Sequence, residues 1–330
     1  MNRSTHLLLA LAATVVLVGA CSAPSGTLGP PATPQPSSIP SLEPSSPEPT
    51  PAAPTPSPEP TSLPGSPSPG PTPSPSPATP VPGETTIVRA YFLLGSGGGD
   101  GGLVPVLREV PETVAVGTAA MQQLLSGPSA SELAADPAMS TAIPAGTRLL
   151  GLRINDRIAT VDLSREFEAG GGSASVFSRL AQVVYTLTQF PTVDAVRFEL
   201  DGKPVTVFSG EGVILDQPVG RDDYTEQLPL VFIDRPAWGA ALGNPGRVSG
   251  LSNVFEATSQ VRLLDAAGRV LAEEMVMADC GMGCWGTWSL DIRYDVPKAQ
   301  WGTLRAFEYS ARDGSEINVV EYPVWLTPAG

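Results

Sequence analysis

Apolar and polar positions divide the chain into four regimes. From Leu7 to Val18 the apolar positions run almost without interruption. From Ser22 to Gly83 they nearly vanish into repeated Pro-Ser, Pro-Thr and Pro-Glu pairs, with no aromatic and no basic residue. From Thr86 onward, β-branched and helix-periodic segments alternate. Thr86 to Leu94 and Leu103 to Val110 read as strands, and Thr113 to Leu125 as a helix with Ala119, Leu124 and Leu125 inward. Strands follow at Leu149 to Ile154 and Ile158 to Leu163. Ser173 to Gln189 is the clearest helix: Val176, Leu180, Val183, Val184 and Leu187 share one face, serines stand ready to cap its start, and Phe190-Pro191 ends it. Val193 to Leu200 and Pro204 to Phe208 form a hairpin across Asp201-Gly202. The expected unit is an α+β layer, residues 84–216, with two helices on one face of a mixed sheet.

Beyond a charged stretch, residues 217–227, read as a linker, the pattern changes again. Short alternating segments recur at Leu230–Ile233, Gly246–Leu251, Gln260–Asp265, Val270–Met277, Trp285–Tyr294, Gly302–Tyr309 and Ile317–Val324. These predict an all-β sandwich over residues 228–330. All five tryptophans (Trp238, Trp285, Trp288, Trp301 and Trp325) lie here. Most are expected in the core. Trp285 and Trp288, an odd number apart, should face opposite sides.

Composition removes several functions. The only histidine is His6, in a segment expected to be cleaved. Without it there is no Ser-His-Asp triad, no Cys-His pair and no imidazole metal ligand. The chain has 33 Asp+Glu against 19 Lys+Arg, a formal charge of −14. With no basic stripe to override that charge, nucleic-acid binding is not expected. No cofactor and no catalytic residue is assigned. Of 37 prolines, 23 fall between Cys21 and Gly83. That segment favours extended polyproline II and reads as a disordered tether reaching up to about 190 Å. PxxP recognition by a binding module is the alternative for it.

The apolar run at the N-terminus is too short for a span of about 20 residues and reads as a secretory signal over residues 1–20. It closes on Val18-Gly19-Ala20-Cys21, which resembles the lipobox of bacterial lipoproteins. The resemblance implies cleavage between Ala20 and Cys21, lipidation of Cys21, and an extracytoplasmic protein held at the outer face of the cell membrane. The lipid bilayer, through acylated Cys21, is the first expected partner. An ordinary secretory signal with an incidental cysteine is the alternative.

The order Tyr91-Phe92, Leu124-Leu125-Ser126-Gly127-Pro128, Ile143-Pro144-Ala145-Gly146-Thr147, Ala159-Thr160-Val161-Asp162-Leu163-Ser164, Val184-Tyr185-Thr186-Leu187-Thr188 and Val196-Arg197-Phe198-Glu199-Leu200-Asp201-Gly202 resembles the GerMN domain of sporulation and spore germination proteins. Val254-Phe255-Glu256, Val261 to Gly268, Trp285-Gly286-Thr287-Trp288 and Phe307-Glu308-Tyr309-Ser310 with Asp313-Gly314 resemble the immunoglobulin-like domain of bacterial spore germination proteins. These resemblances imply a non-enzymatic binding or scaffold protein of the envelope, connected to sporulation or germination. Its partner would be an envelope protein or a cell-wall glycan, and self-association is a further implication. Asp162, Glu166 and Glu168 are the carboxylates a hydrolase would need, but Asp162 reads better as a turn or cap device. Cys280 and Cys284, flanking Gly281-Met282-Gly283, are expected to form a disulfide outside the cytoplasm. Free thiols and a metal site are the alternatives, and a metal would lack two further soft ligands.

Overall fold

The computed structural model describes residues 83–95 and 101–329. The expected signal segment, the expected cleavage and lipidation site at Ala20–Cys21, nearly all of the proline-rich segment and residues 96–100 lie outside the described residues.

The first domain opens with a long antiparallel hairpin, β1 (Thr85–Leu94) and β2 (Gly102–Pro111), in register from Thr85 opposite Pro111 to Leu94 opposite Gly102. Helices α1 (Val116–Leu125) and α2 (Ala130–Leu133) follow, then β3 (Met139–Ser140), which pairs with the far end of β1. A mixed sheet is built from β4 (Leu149–Asn155), β5 (Ile158–Leu163), β6 (Ala195–Leu200) and β7 (Lys203–Pro204). Its β5–β6 pair is parallel, so the chain must cross over, and helix α3 (Ser173–Leu187) makes that crossover. A small ladder of β8 (Val207–Phe208) and β9 (Val213–Ile214) completes the domain.

The mixed sheet with its helices is as the sequence predicts, and a second, antiparallel sheet of β2, β1 and β3 accompanies it. Helix α3 packs against β1, β2, β6 and α1. Its whole stretch from Arg179 to Leu187 is buried, including Arg179, Gln182 and Thr186, rather than one apolar face alone. Gln182 and Thr186 have partners, and the terminal nitrogens of Arg179 donate to Phe167 O, Ala169 O and Gly170 O while its Nε is left without one. The Gln182 amide donates to Tyr91 O at 2.9 Å and accepts from Ala142 N–H at 2.9 Å, and the Thr186 hydroxyl accepts from Tyr91 N–H. The Gln189 amide bonds both Arg89 N–H and Arg89 C=O. Side chains of α3 and of Gln189 just past its end thus complete the unpaired edge of β1, a job that strand neighbours usually do.

Several boundaries differ from expectation. Helix α1 begins at Val116 because the Thr113 hydroxyl captures Ala115 N–H in an entry turn, and its inward face is Gly117, Ala120, Met121 and Leu124, with Ala119 and Leu125 half-buried. No serine caps α3. Gly172 holds the N-cap position, and the Ser173 hydroxyl turns instead to the Glu211 carboxylate. Pro204 to Phe208 does not return as one strand: β7 is two residues long, and Val207–Phe208 pairs with β9. The stretch read as a linker is packed rather than free. Tyr224 is buried, the Ser178 hydroxyl donates to Gln227, and Val219 bridges Val196 of β6.

The second domain is a two-sheet sandwich. Strands β10 (Val231–Arg235), β12 (Gly246–Ser252) and β15 (Gly286–Ile292) form one sheet. Strands β11 (Ala241–Leu242), β17 (Glu316–Leu326), β16 (Gln300–Tyr309), β13 (Thr258–Asp265) and β14 (Val270–Met277) form the other, in that order. All seven predicted strands are present. The tryptophans divide otherwise than expected. Trp288 alone is fully buried, Trp238, Trp285 and Trp325 are half-buried, and Trp301 is 51% exposed. Opposite Trp288 stands Gly250, where a Cβ would collide with Phe232 O and approach the indole to 2.9 Å, so only glycine fits.

Candidate functional site

One hydrophobic core runs continuously from α3 and β1 of the first domain into β10, β17 and the rest of the sandwich. Two hydrogen bonds reinforce it, one between the domains and one inside the sandwich. Trp238 N–H donates to Pro105 O at 2.9 Å, joining the sandwich to β2, and the buried Tyr322 hydroxyl donates to Ile233 O at 3.1 Å, steadying β10 from within the sandwich.

Polar chemistry at this junction centres on Asp234. A bulge between Ile233 and Arg235 breaks the register of β10 against β12 at this residue, and bulges commonly re-aim a side chain. The Asp234 carboxylate accepts from Arg89 at 3.1 Å and from the Tyr91 hydroxyl at 3.2 Å. Arg89 and Tyr91 stand two apart on β1 and therefore point the same way. The guanidinium of Arg221 lies 3.9 Å from the same carboxylate and that of Arg235 3.7 Å. Arg221 is held over the rings of Tyr185 at 4.8 Å and Tyr91 at 5.6 Å, and donates to the Thr188 hydroxyl at 2.9 Å. Burial opposes the charge on Arg89, but Tyr91 and Asp234 more than offset it, so its pKa lies above the ordinary value. Burial raises the pKa of Tyr91, keeping its phenol a neutral donor.

Beside this cluster lies an open hollow of about 680 Å³ on the outward face of the β10–β12–β15 sheet. Arg221 and Asp234 stand at one end and Met277, Ala278 and Asp279 at the other. Between them the strand register sets Phe232, Leu251 and Thr287 in one outward row and places Ser249 opposite Ser289. The Asp279 carboxylate accepts from both the hydroxyl and the N–H of Thr287 at 2.6 Å, and these bonds hold its pKa below the usual carboxylate value. Away from the hollow, Trp301 pairs edge-on with its cross-strand partner Trp325, ring centres 5.2 Å apart.

Cys280 and Cys284 are disulfide-bonded, with Cα atoms 5.9 Å apart, directly after the Met277–Asp279 wall. The three carboxylates weighed for hydrolysis are dispersed into local duties. Asp162 accepts from Gly202 N–H at 2.9 Å in the β6–β7 turn, and Glu168 accepts from Ser209 N–H at 2.9 Å. Hydrogen bonding from Ser164 lowers the pKa of Glu166, the opposite of what a general acid needs. Among the described residues no group of three or more His, Cys, Asp or Glu side chains is placed to hold a metal ion, and no described helix is long and apolar enough to cross a membrane. The residues that do converge (Arg89, Tyr91, Arg221, Asp234) are not singled out by the sequence. Tyr91 reads there as a strand residue and as the first piece of the GerMN resemblance, with no site role, and Arg221 falls in the stretch read as a linker.

Residues 89–206 match the Germane family, sporulation and spore germination. Residues 230–315 match Gmad2, the immunoglobulin-like domain of bacterial spore germination. Arg89 and Asp234 fall inside these spans and Arg221 between them. Among solved structures, the first GerMN domain of the sporulation protein GerM from Bacillus subtilis is similar, at 21% identity, over 42% of this chain and all of that one, with a TM-score of 0.36. The tandem GerMN domains of the same protein are 17% identical over 75% of this chain and 62% of that one, with a TM-score of 0.36. No curated relative matches the chain. Residues 89–206 thus carry a GerMN domain of the sporulation and spore germination type, and residues 230–315 an immunoglobulin-like domain of bacterial spore germination.

Proposed function

We propose that this protein is a non-enzymatic binding or scaffold protein of the cell envelope, carried on the outer face of the membrane by a lipid on Cys21. The observation that supports this reading most is the junction. Two domains of spore germination type share one core and converge on Asp234, which suits presenting a fixed surface rather than opening and closing over a substrate. The carboxylates also weigh against acid–base work, since Asp279 and Glu166 both have lowered pKa values. The proline-rich segment after Cys21 suits a spacer between lipid and folded part.

Two experiments test the reading. Metabolic labelling with a fatty-acid probe should mark the wild-type chain and not Cys21→Ser, and equal labelling of both would remove the anchor. The detergent-solubilised chain, offered in parallel to purified peptidoglycan and to solubilised envelope proteins, should retain a specific protein. Saturable retention on peptidoglycan alone would favour a second reading, a wall-glycan binder. That reading draws support from the half-exposed Trp301, whose indole is open to a sugar face.

A further inference from the structure

The hollow at the domain junction combines features that neither domain assembles alone. Its junction end carries an excess of positive charge: the guanidinium groups of Arg89, Arg221 and Arg235 all lie within 3.9 Å of one carboxylate, Asp234. Of the three arginines, Arg221 lines the hollow, its guanidinium fixed by two tyrosine rings and by Thr188. This sits in a chain whose net charge is −14, so a cationic end to a cavity runs against the general field.

The floor has a different character. Ser249 on β12 stands directly opposite Ser289 on β15, about 5 Å away, and Thr287 is the next outward residue along β15, about 7 Å from Ser289. The Ser289 hydroxyl accepts from Arg247 at 3.0 Å, which leaves its O–H free to donate. Leu251 and Met277 supply apolar surface beside them. Asp279 remains an ionised acceptor, immobilised by Thr287. At about 680 Å³ the hollow falls within the usual range for small-molecule sites, a mainly preformed cavity with a few convergent polar groups.

We propose that this hollow binds an acidic sugar. The sugar's anionic group lies at Arg221, its hydroxyls meet Ser249, Ser289 and Thr287, and its C–H face rests on Leu251 and Met277. The two charged ends fix the orientation. Asp279 repels the anionic group, so that group belongs at the junction end, leaving Asp279 to accept from a hydroxyl or amide N–H. A cation fits poorly, because Asp234 is already surrounded by guanidinium groups. This proposal rests on the reading of the chain as a binding protein and names a ligand class for it.

The test is calorimetric titration of the full-length chain with matched probes. Glucuronic acid is compared with glucose, and N-acetylmuramic acid with N-acetylglucosamine, so that each pair isolates the acidic group. Inorganic phosphate tests for a bare anion site. At least one acidic sugar should bind about tenfold or more tighter than its neutral partner, since a charge-assisted hydrogen bond contributes on that scale. Arg221→Gln should erase that difference. Arg221 also supports the junction, so Ser249→Trp serves as the second variant: it fills the hollow from a half-exposed outward position and should abolish binding while the fold persists. Phosphate binding as tightly as the acidic sugars, equal affinity for neutral and acidic sugars, or no heat at millimolar concentration would each overturn the proposal. Retention of an envelope protein by the Ser249→Trp chain separates the two ideas. A blank titration alongside such retention sinks the hollow and leaves the binding-protein reading standing.

Discussion

Arg89 of the first domain and Asp234 of the second meet at 3.1 Å across the domain boundary. Both side chains are largely buried, and the Tyr91 hydroxyl shares the same carboxylate oxygen. Removing one partner of such a group leaves the others buried and uncompensated, which costs more than the net contribution of the pair. Asp234→Ala should therefore destabilise the protein by about 1–3 kcal/mol. A double-mutant cycle with Arg89→Ala, read by urea unfolding, should show coupling. Strictly additive effects would mean that the pair does not bind the domains together.

Gln182 has the same logic without a charge. Gln182→Leu fits the volume but orphans Tyr91 O in the core and the half-buried Ala142 N–H, at about 1–3 kcal/mol for a buried group left unsatisfied. Thermal unfolding should show a lower midpoint for Gln182→Leu than for Leu180→Val, which deletes only a methylene-sized volume.

Gly250→Ala is expected to be severe for a one-carbon change. The new Cβ would meet Phe232 O and the Trp288 ring, and neither backbone nor buried indole can yield cheaply. Overpacking of this kind costs about 1–3 kcal/mol or more. Tryptophan fluorescence should shift as the Trp288 environment loosens, and an unchanged spectrum and midpoint would contradict the packing described.

Stability should fall on both sides of neutral pH. Burial works against the charge of Glu132, but hydrogen bonds from Arg108 and from Ser129 N–H hold its pKa below the ordinary value. Its contribution is complete above the unfolded value of about 4.3 and is lost as pH falls from there through the folded value. Glu132→Gln should flatten that acid limb. In the other direction, burial raises the pKa of Tyr91, Tyr185, Tyr224 and Tyr322. Each raised phenol removes stability as pH climbs above the unfolded value of about 10. Unfolding followed by tyrosinate absorbance should be cooperative rather than a simple titration.

The Cys280–Cys284 bridge closes a very short loop, so reduction should cost only about 2 kcal/mol. Because the bridge follows the Met277–Asp279 wall, the double variant Cys280→Ser/Cys284→Ser should weaken acidic-sugar binding more than it lowers the unfolding midpoint. The reverse ranking would confine the disulfide to stability.

What the sequence determined by itself was everything carried by local pattern. The alternation of β13, the i, i+4, i+11 spacing of Val176, Leu180 and Leu187, the turn at Asp201-Gly202 and the order of the two domains follow from residues near one another in the chain. The Cys280–Cys284 pairing was also expected from local spacing, with free thiols left as the alternative, and the structure shows the bond. The tertiary structure alone decided what depends on distant pieces meeting. That α3 would be buried all round was hidden, because Arg179, Gln182 and Thr186 read as a polar face until β1 arrives with backbone groups for Gln182 and Thr186 to satisfy. That Asp234 would face Arg89 rested on a bulge in β10, and a one-residue slip sends a side chain to the other face of a sheet. Arg221 belonged to a stretch with no periodicity, and the rings of Tyr91 and Tyr185 together with the Thr188 hydroxyl gave it a place. Local spacing reports a residue's own element, whereas a junction or a hollow is a property of register between elements far apart in sequence.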